Sequence, residues 1–289
     1  MHEHTTKPII KLMVKNSNGF SVIELMIVVV IIAVLGFVGY KVLHKNDVSN
    51  MSDEKLSTSD KIETEDEPPI LAKNIGFKFD TYDPVTKSAG DLVFKDLPAL
   101  KDPITGNAIW HDYGVEDNKE GSDQKNPQTV FFLPGGTKIT SMVDGEVVGM
   151  TELYSKDYGI MIAKDKNSKW RYEHEHVVKP VVKLGDKVKA GDIIAEVGAH
   201  TNTWQYAGYG FFEIGLYRPH PNGVGGSEDC VFKFLDPSVK ADIHAKATAF
   251  YKGWEDYRGD ASIYNQENYF SPGCAIGDTI SWEKVAPAN

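Results

Sequence analysis

The sequence predicts a mainly β chain of the α+β class: one N-terminal apolar helix, an acidic linker, an antiparallel β domain and one C-terminal amphipathic helix. Three observations carry that prediction. An uncharged run fills residues 25–40, short β-type runs separated by Asp-Gly, Gly-Gly and Gly-Asp signals fill the middle of the chain, and helical spacing returns only near the C-terminus. Across 289 residues, 41 acidic side chains face 31 basic ones, and the net charge of -10 repels phosphate backbones. No local basic patch offsets it, so nucleic acid is not an expected partner.

The apolar helix is assigned to residues 20–44. From Phe20 to Tyr40 the only ionisable side chain is Glu24, and about 21 residues at 1.5 Å rise cross a hydrocarbon core. Lys7, Lys11 and Lys15 precede this run and Lys41 and Lys45 follow it, which places the N-terminus in the cytoplasm and the bulk of the chain outside. A carboxylate in an apolar helix is costly, so Glu24 needs a partner. Residues 45–69 then carry Asp47, Asp53, Glu54, Asp60, Glu63, Glu65, Asp66 and Glu67 with almost nothing apolar, and read as an extended, self-repelling linker.

Beyond Pro69 come a lead-in (70–126), the β domain (127–240) and a C-terminal helix and tail (241–289). Phe77, Phe79, Leu92, Phe94 and Trp110 in the lead-in are expected to cover part of the head. In the β domain, the stretch from Val181 to Gly198 predicts two short strands around a tight turn, with Gly185 and Gly191 where φ must exceed zero. Gly208-Tyr209-Gly210 predicts a bulge or a close backbone approach. From Ala241 to Tyr257 the apolar residues Ile243, Ala247, Phe250, Trp254 and Tyr257 recur at helical spacing and predict a helix packed on the β domain. Cys230 and Cys274, both on the oxidising side of the membrane, are expected to form one disulfide that ties the tail down.

The N-terminal run Gly19-Phe20-Ser21-Val22-Ile23-Glu24 resembles the class III signal of type IV pilins and type II secretion pseudopilins. The resemblance implies cleavage after Gly19 by a prepilin peptidase, N-methylation of Phe20, and pairing of Glu24 with the α-amine of a neighbouring pilin or pseudopilin. It also implies a single-pass protein of the bacterial inner membrane, its head in the periplasm or on a pilus at the cell surface.

A second resemblance covers roughly residues 127–240. Gly136-Thr137, Val143-Asp144-Gly145, Tyr172-Glu173-His174, the Val181–Gly198 segment, Phe212-Glu213 and Leu235-Asp236-Pro237 follow the order of the M23, or lysostaphin/LytM-like, peptidases. In active members zinc is held by the His and Asp of an H-x-G-x-D motif and by the second His of an H-x-H motif. These slots fall here on Asn126, Val130, Tyr209 and Phe211, and only His174 survives as a family remnant. Phe211 and Val130 have no donor atom, so the resemblance implies a degenerate domain with its zinc site lost and no cofactor.

The expected function is therefore a minor pilin or pilin-like anchor with a non-catalytic head. Its groove would be lined by His174, His176, Tyr206, Tyr209, Phe211 and Glu213 and would bind peptidoglycan, an envelope protein such as a cell-wall amidase, or an external ligand. His174 and His176, at alternate strand positions, are expected on one face. Two other readings stay open: a divergent zinc peptidase using His174, His176, Glu213 and His111, and a structural filament subunit.

Overall fold

A computed structural model describes residues 69–101, 107–116, 124–199 and 203–282. Gly19, Phe20 and Glu24, the apolar helix and the acidic linker up to Pro68 lie outside the described residues. Among those described, no helix is long and apolar enough to cross a membrane.

The head is built around an antiparallel sheet whose central strand is β11 (Tyr209–Pro219). On one side β11 pairs with β8 (Arg171–Val178), which continues to β7 (Tyr158–Ala163), β6 (Gly145–Glu152) and β9 (Lys187–Val188). Along its other edge β11 pairs first with β4 (Thr129–Pro134) and then with β12 (Gly226–Asp229), which carries β13 (Ile280–Trp282). Beyond β4 lies β3 (Trp110–His111), and β10 (Ile193–Val197) joins β8 to β5 (Lys138–Thr140). A two-stranded hairpin, β1 (Ser88–Ala89) with β2 (Leu92–Val93), and a short helix α1 (Thr203–Tyr206) complete this part.

The Val181–Gly198 segment forms its two strands, β9 and β10, but they do not pair with each other: β9 pairs with β6, and β10 with β5 and β8. The turns explain the divergence. At Gly185-Asp186 and again at Gly191-Asp192 the glycine takes φ of +88° and +92°, and the aspartate carboxylate accepts the backbone N–H three residues upstream, Lys183 at 3.0 Å and Lys189 at 2.8 Å. Gly191 N–H is given to Ser141 carbonyl, across to the neighbouring segment, so the loop is anchored sideways instead of closing a hairpin. At Gly210 a Cβ would meet the Gly198 carbonyl oxygen at 1.8 Å, the close backbone approach expected there.

The lead-in fills the space between the sheet and α2 (Pro237–Arg258). Phe77 and Trp110 each meet Phe131 of β4 at 4.9 Å, while Phe94 meets Phe250 and Trp254 of α2 at 5.3 and 5.1 Å. The helix thus rests on aromatic residues of the lead-in and β3. It starts at Pro237, four residues before the predicted Ala241, because Asp236 Oδ1 accepts the Ser238 N–H at 2.9 Å and Pro237 fits the first turn; Gly259, at φ +69°, ends it.

Cys230 and Cys274 are fully buried and bonded across 44 residues. In the chain-entropy model such a loop stabilises by about 4 kcal/mol. Replacing both cysteines by alanine is expected to lower the urea midpoint by a corresponding amount; an unchanged midpoint would mean that the tail is held by its other contacts alone.

Candidate metal centre

The site is assembled by β8 and β11. Their register sets Glu175 opposite Glu213, and on the far side of β11 Glu213 stands opposite Val130 of β4, so the three share one face. Alternation would turn the next residue, His176, to the other face. Instead His176 takes φ +60°, and the pairing of β8 with β7 shifts register between Tyr158 and Ile160. This bulge brings His176 round beside Glu175. Its Nε2 lies 3.5 Å from Glu213 Oε2, its ring 4.0 Å from the Phe211 ring, and its Nδ1 3.1 Å from Asp157 Oδ2. Ser155 Oγ, 3.2 Å from the same Nδ1, donates at 2.5 Å to the other oxygen of Asp157.

The electrostatics follow from this packing. Burial opposes the His176 charge, but Glu213 and then Asp157 outweigh it and hold its pKa above the ordinary imidazole value. Burial and the neighbouring Glu213 raise Glu175 above the ordinary carboxylate range. Farther along β8, Glu173 is pushed up to about 7, chiefly by burial, and accepts Gln128 Nε2 at 3.3 Å; Glu228, almost wholly buried beside it, is raised well above the usual range.

His174 behaves differently. It is fully buried, its ring lies 6.4 Å from core Phe212, and its Nε2 accepts the Met142 N–H at 3.4 Å. Burial lowers its pKa to about 4, so it is a neutral core residue at pH 7. The expectation that His174 and His176 share one groove face is corrected, because the bulge between them reverses the side chains. Tyr206 stacks on Phe132 and Tyr209 donates its hydroxyl to the Val93 carbonyl at 3.4 Å, so both groove candidates are mostly covered. His111 stands opposite Val130 on β3 with its Nε2 2.9 Å from the Ala108 carbonyl. Of the six expected groove residues, the structure brings His176, Phe211 and Glu213 together.

Two family models match the chain. Residues 14–40 match the model of the prokaryotic N-terminal methylation motif, and residues 125–213 that of peptidase family M23. The head contains an M23 domain. The peptidoglycan DD-endopeptidase ShyB of Vibrio cholerae serotype O1 is 28% identical over 174 residues, 60% of this chain and 35% of that protein, so the chain spans about a third of the length of this relative. Among solved structures, LytU is 28% identical with a TM-score of 0.33, covering 38% of this chain and 73% of its own. A catalytic domain of the prophage-encoded M23 protein EnpA from Enterococcus faecalis is 27% identical with a TM-score of 0.30, covering 40% and 84%.

The M23 domain of this chain does not have the ligand set its family resemblance implies. Asn126 is engaged in its own turn, its Oδ1 accepting the Gln128 N–H at 3.3 Å, and Val130 and Phe211 offer nothing to a cation. Yet the expectation that no metal site remains is overturned. Glu175, His176 and Glu213 each offer one ligand atom, all within 4.8 Å of one another. The donor chemistry fits a divalent ion: two carboxylates and an imidazole whose remote nitrogen faces a carboxylate, the arrangement that orients zinc-bound histidines. Glu175 and Asp157 escaped sequence reasoning. Glu175 stands in plain view between two histidines, but only the bulge puts it beside His176, and Asp157 comes from a turn preceding another strand.

Proposed function

We propose that this chain is a pilin-type anchored protein whose M23 head recognises peptidoglycan at a divalent metal held by Glu175, His176 and Glu213. In this reading prepilin peptidase cuts after Gly19, Glu24 pairs with a neighbouring pilin or pseudopilin, and the head works in the periplasm or on a pilus. The M23 family match and the Vibrio relative, a peptidoglycan DD-endopeptidase, support peptidoglycan as the ligand.

The observation that carries the metal is the convergence of the three donors on one face across the β8 bulge. Bound there, a zinc ion would act as a Lewis acid toward a carbonyl or a water. The protein side favours holding over cutting. Two carboxylates cancel the charge of a divalent ion and so blunt its effect on a bound water. Among the described residues no second imidazole stands free for proton transfer, since His174 is sealed in the core, His111 is tied to Ala108, His220 to Val224 and Ser227, and His244 to Phe232. Phe211 instead lays an apolar wall against His176.

One observation favours cleavage: the Asp157–His176 pair is also the arrangement of an oriented general base. Metal content and peptidoglycan digestion, measured together on full-length protein after EDTA stripping and zinc reloading, separate the readings. About one zinc per chain with sacculus binding and no digestion is the expected result. Digestion restored by zinc would make the protein a peptidase, and absence of metal with unimpaired sacculus binding would remove the ion from the recognition site.

A further inference from the structure

The turn between β6 and β7, residues 153–157, is built onto the metal centre. It closes on itself, Leu153 N–H donating to the Asp157 carbonyl at 2.8 Å and Lys156 N–H to the Leu153 carbonyl at 3.0 Å, with Lys156 in the left-handed region at φ +67°. Two of its side chains then reach His176 Nδ1, Asp157 Oδ2 at 3.1 Å and Ser155 Oγ at 3.2 Å. Just past the turn Gly159 makes room for Glu175, since a Cβ there would lie 3.1 Å from Glu175 Oε1. The backbone that carries residue 154 is therefore fixed relative to two of the three metal donors.

Tyr154 belongs to that turn. Its ring centroid is 6.2 Å from that of His176, the two planes are nearly perpendicular at 76°, and the side chain is 88% exposed. So little of the ring is covered that burial contributes little to its position, and the turn is what sets it beside the imidazole. A tyrosine held open in this way offers a large apolar face and gives up the freedom of only two side-chain torsions when a ligand covers it. Phe211, 4.0 Å from the same imidazole, adds a second aromatic surface next to the donors. We propose, on the reading that the head recognises peptidoglycan at the metal, that Tyr154 is a ligand-contacting residue of this centre, its ring stacking on the peptidoglycan segment whose oxygen the metal takes.

The test sediments zinc-loaded, full-length protein in detergent micelles with increasing amounts of purified sacculi. Tyr154→Ala is expected to weaken binding on the order of tenfold and to keep its zinc, while Tyr154→Phe binds as wild type, because the ring and not the hydroxyl makes the contact. Val85→Ala trims an equally exposed apolar side chain, 88% accessible on the turn before β1, and should leave binding unchanged. An equal loss in Val85→Ala would mean general apolar adhesion, and an equal loss in Tyr154→Phe would mean a contact through the hydroxyl; either overturns the proposal. Loss of zinc from Tyr154→Ala would overturn it too, by making the residue a support of His176. Unimpaired sacculus binding by zinc-free Glu213→Gln would overturn the metal reading and this contact with it, whereas binding lost in Glu213→Gln but intact in Tyr154→Ala would overturn the contact alone.

Discussion

Glu213→Gln is expected to abolish stoichiometric zinc binding and leave the head folded, while His174→Ala is expected to leave zinc binding intact and destabilise the head by about 2–4 kcal/mol. Only one residue separates His174 and His176 in sequence, so the crossed pattern tests the bulge directly. Glu213 lies 3.5 Å from His176 Nε2 and repels Glu175, so in metal-free protein its neutralisation loses an attraction and relieves a repulsion, and the head should stay folded. His174 fills core volume and accepts a backbone N–H, and its removal leaves a cavity and an orphaned donor. Zinc measured by mass spectrometry and thermal unfolding with and without EDTA give both readouts. Zinc lost in His174→Ala but kept in Glu213→Gln would place the metal at His174 and not at the Glu175, His176 and Glu213 cluster.

Stability of the head is expected to fall as pH rises from about 4 to about 7. Asp112 is fully buried, its Oδ1 accepting the Tyr251 hydroxyl at 2.6 Å, and burial pushes its pKa up to about 7 from 3.8. Between those values the folded state keeps a proton that the unfolded chain has released. The native state therefore binds more protons, and stability declines with pH across that window, by on the order of 4 kcal/mol in total. Tyr251 in turn accepts the Gly273 N–H at 2.8 Å, next to the disulfide, so the strain falls on the joint between β3, α2 and the tail. Urea unfolding of Asp112→Asn against wild type from pH 4 to pH 8 isolates the contribution: the variant should be the more stable of the two at pH 8, with the gap closing toward pH 4. Parallel curves would mean that Asp112 ionises in the fold as it does in the open chain.

Much of the fold was legible because local chemistry and burial agree. The Gly-Asp turns, the Phe250 and Trp254 stripe and the aromatic lead-in each declared their element, since apolar periodicity and turn residues act over a few positions. The Cys230–Cys274 bond was legible from parity and compartment. Pairing was less so: β9 and β10 look like one hairpin, and the choice of partners lies in a backbone donor at Gly191 that reaches Ser141 fifty residues upstream. The site was half legible. His176, Phe211 and Glu213 could be named, but which of two histidines faced them depended on one backbone angle, and a left-handed histidine leaves no mark in the sequence.

That angle also separates two tasks along one strand. Ahead of His176 the even-numbered Tyr172 and His174 point into the core; after it the odd-numbered Val177 does. The strand changes phase in mid-course, so its first half can be selected for packing and its middle for ligand chemistry without one constraining the other. A glycine at 176 would keep the phase change at no steric cost and delete the imidazole, whereas excising one residue there would remove the bulge and restore plain alternation, with Val177 still directed into the core. The pair of changes offers a way to ask what the backbone contributes to the site apart from the chemistry it carries.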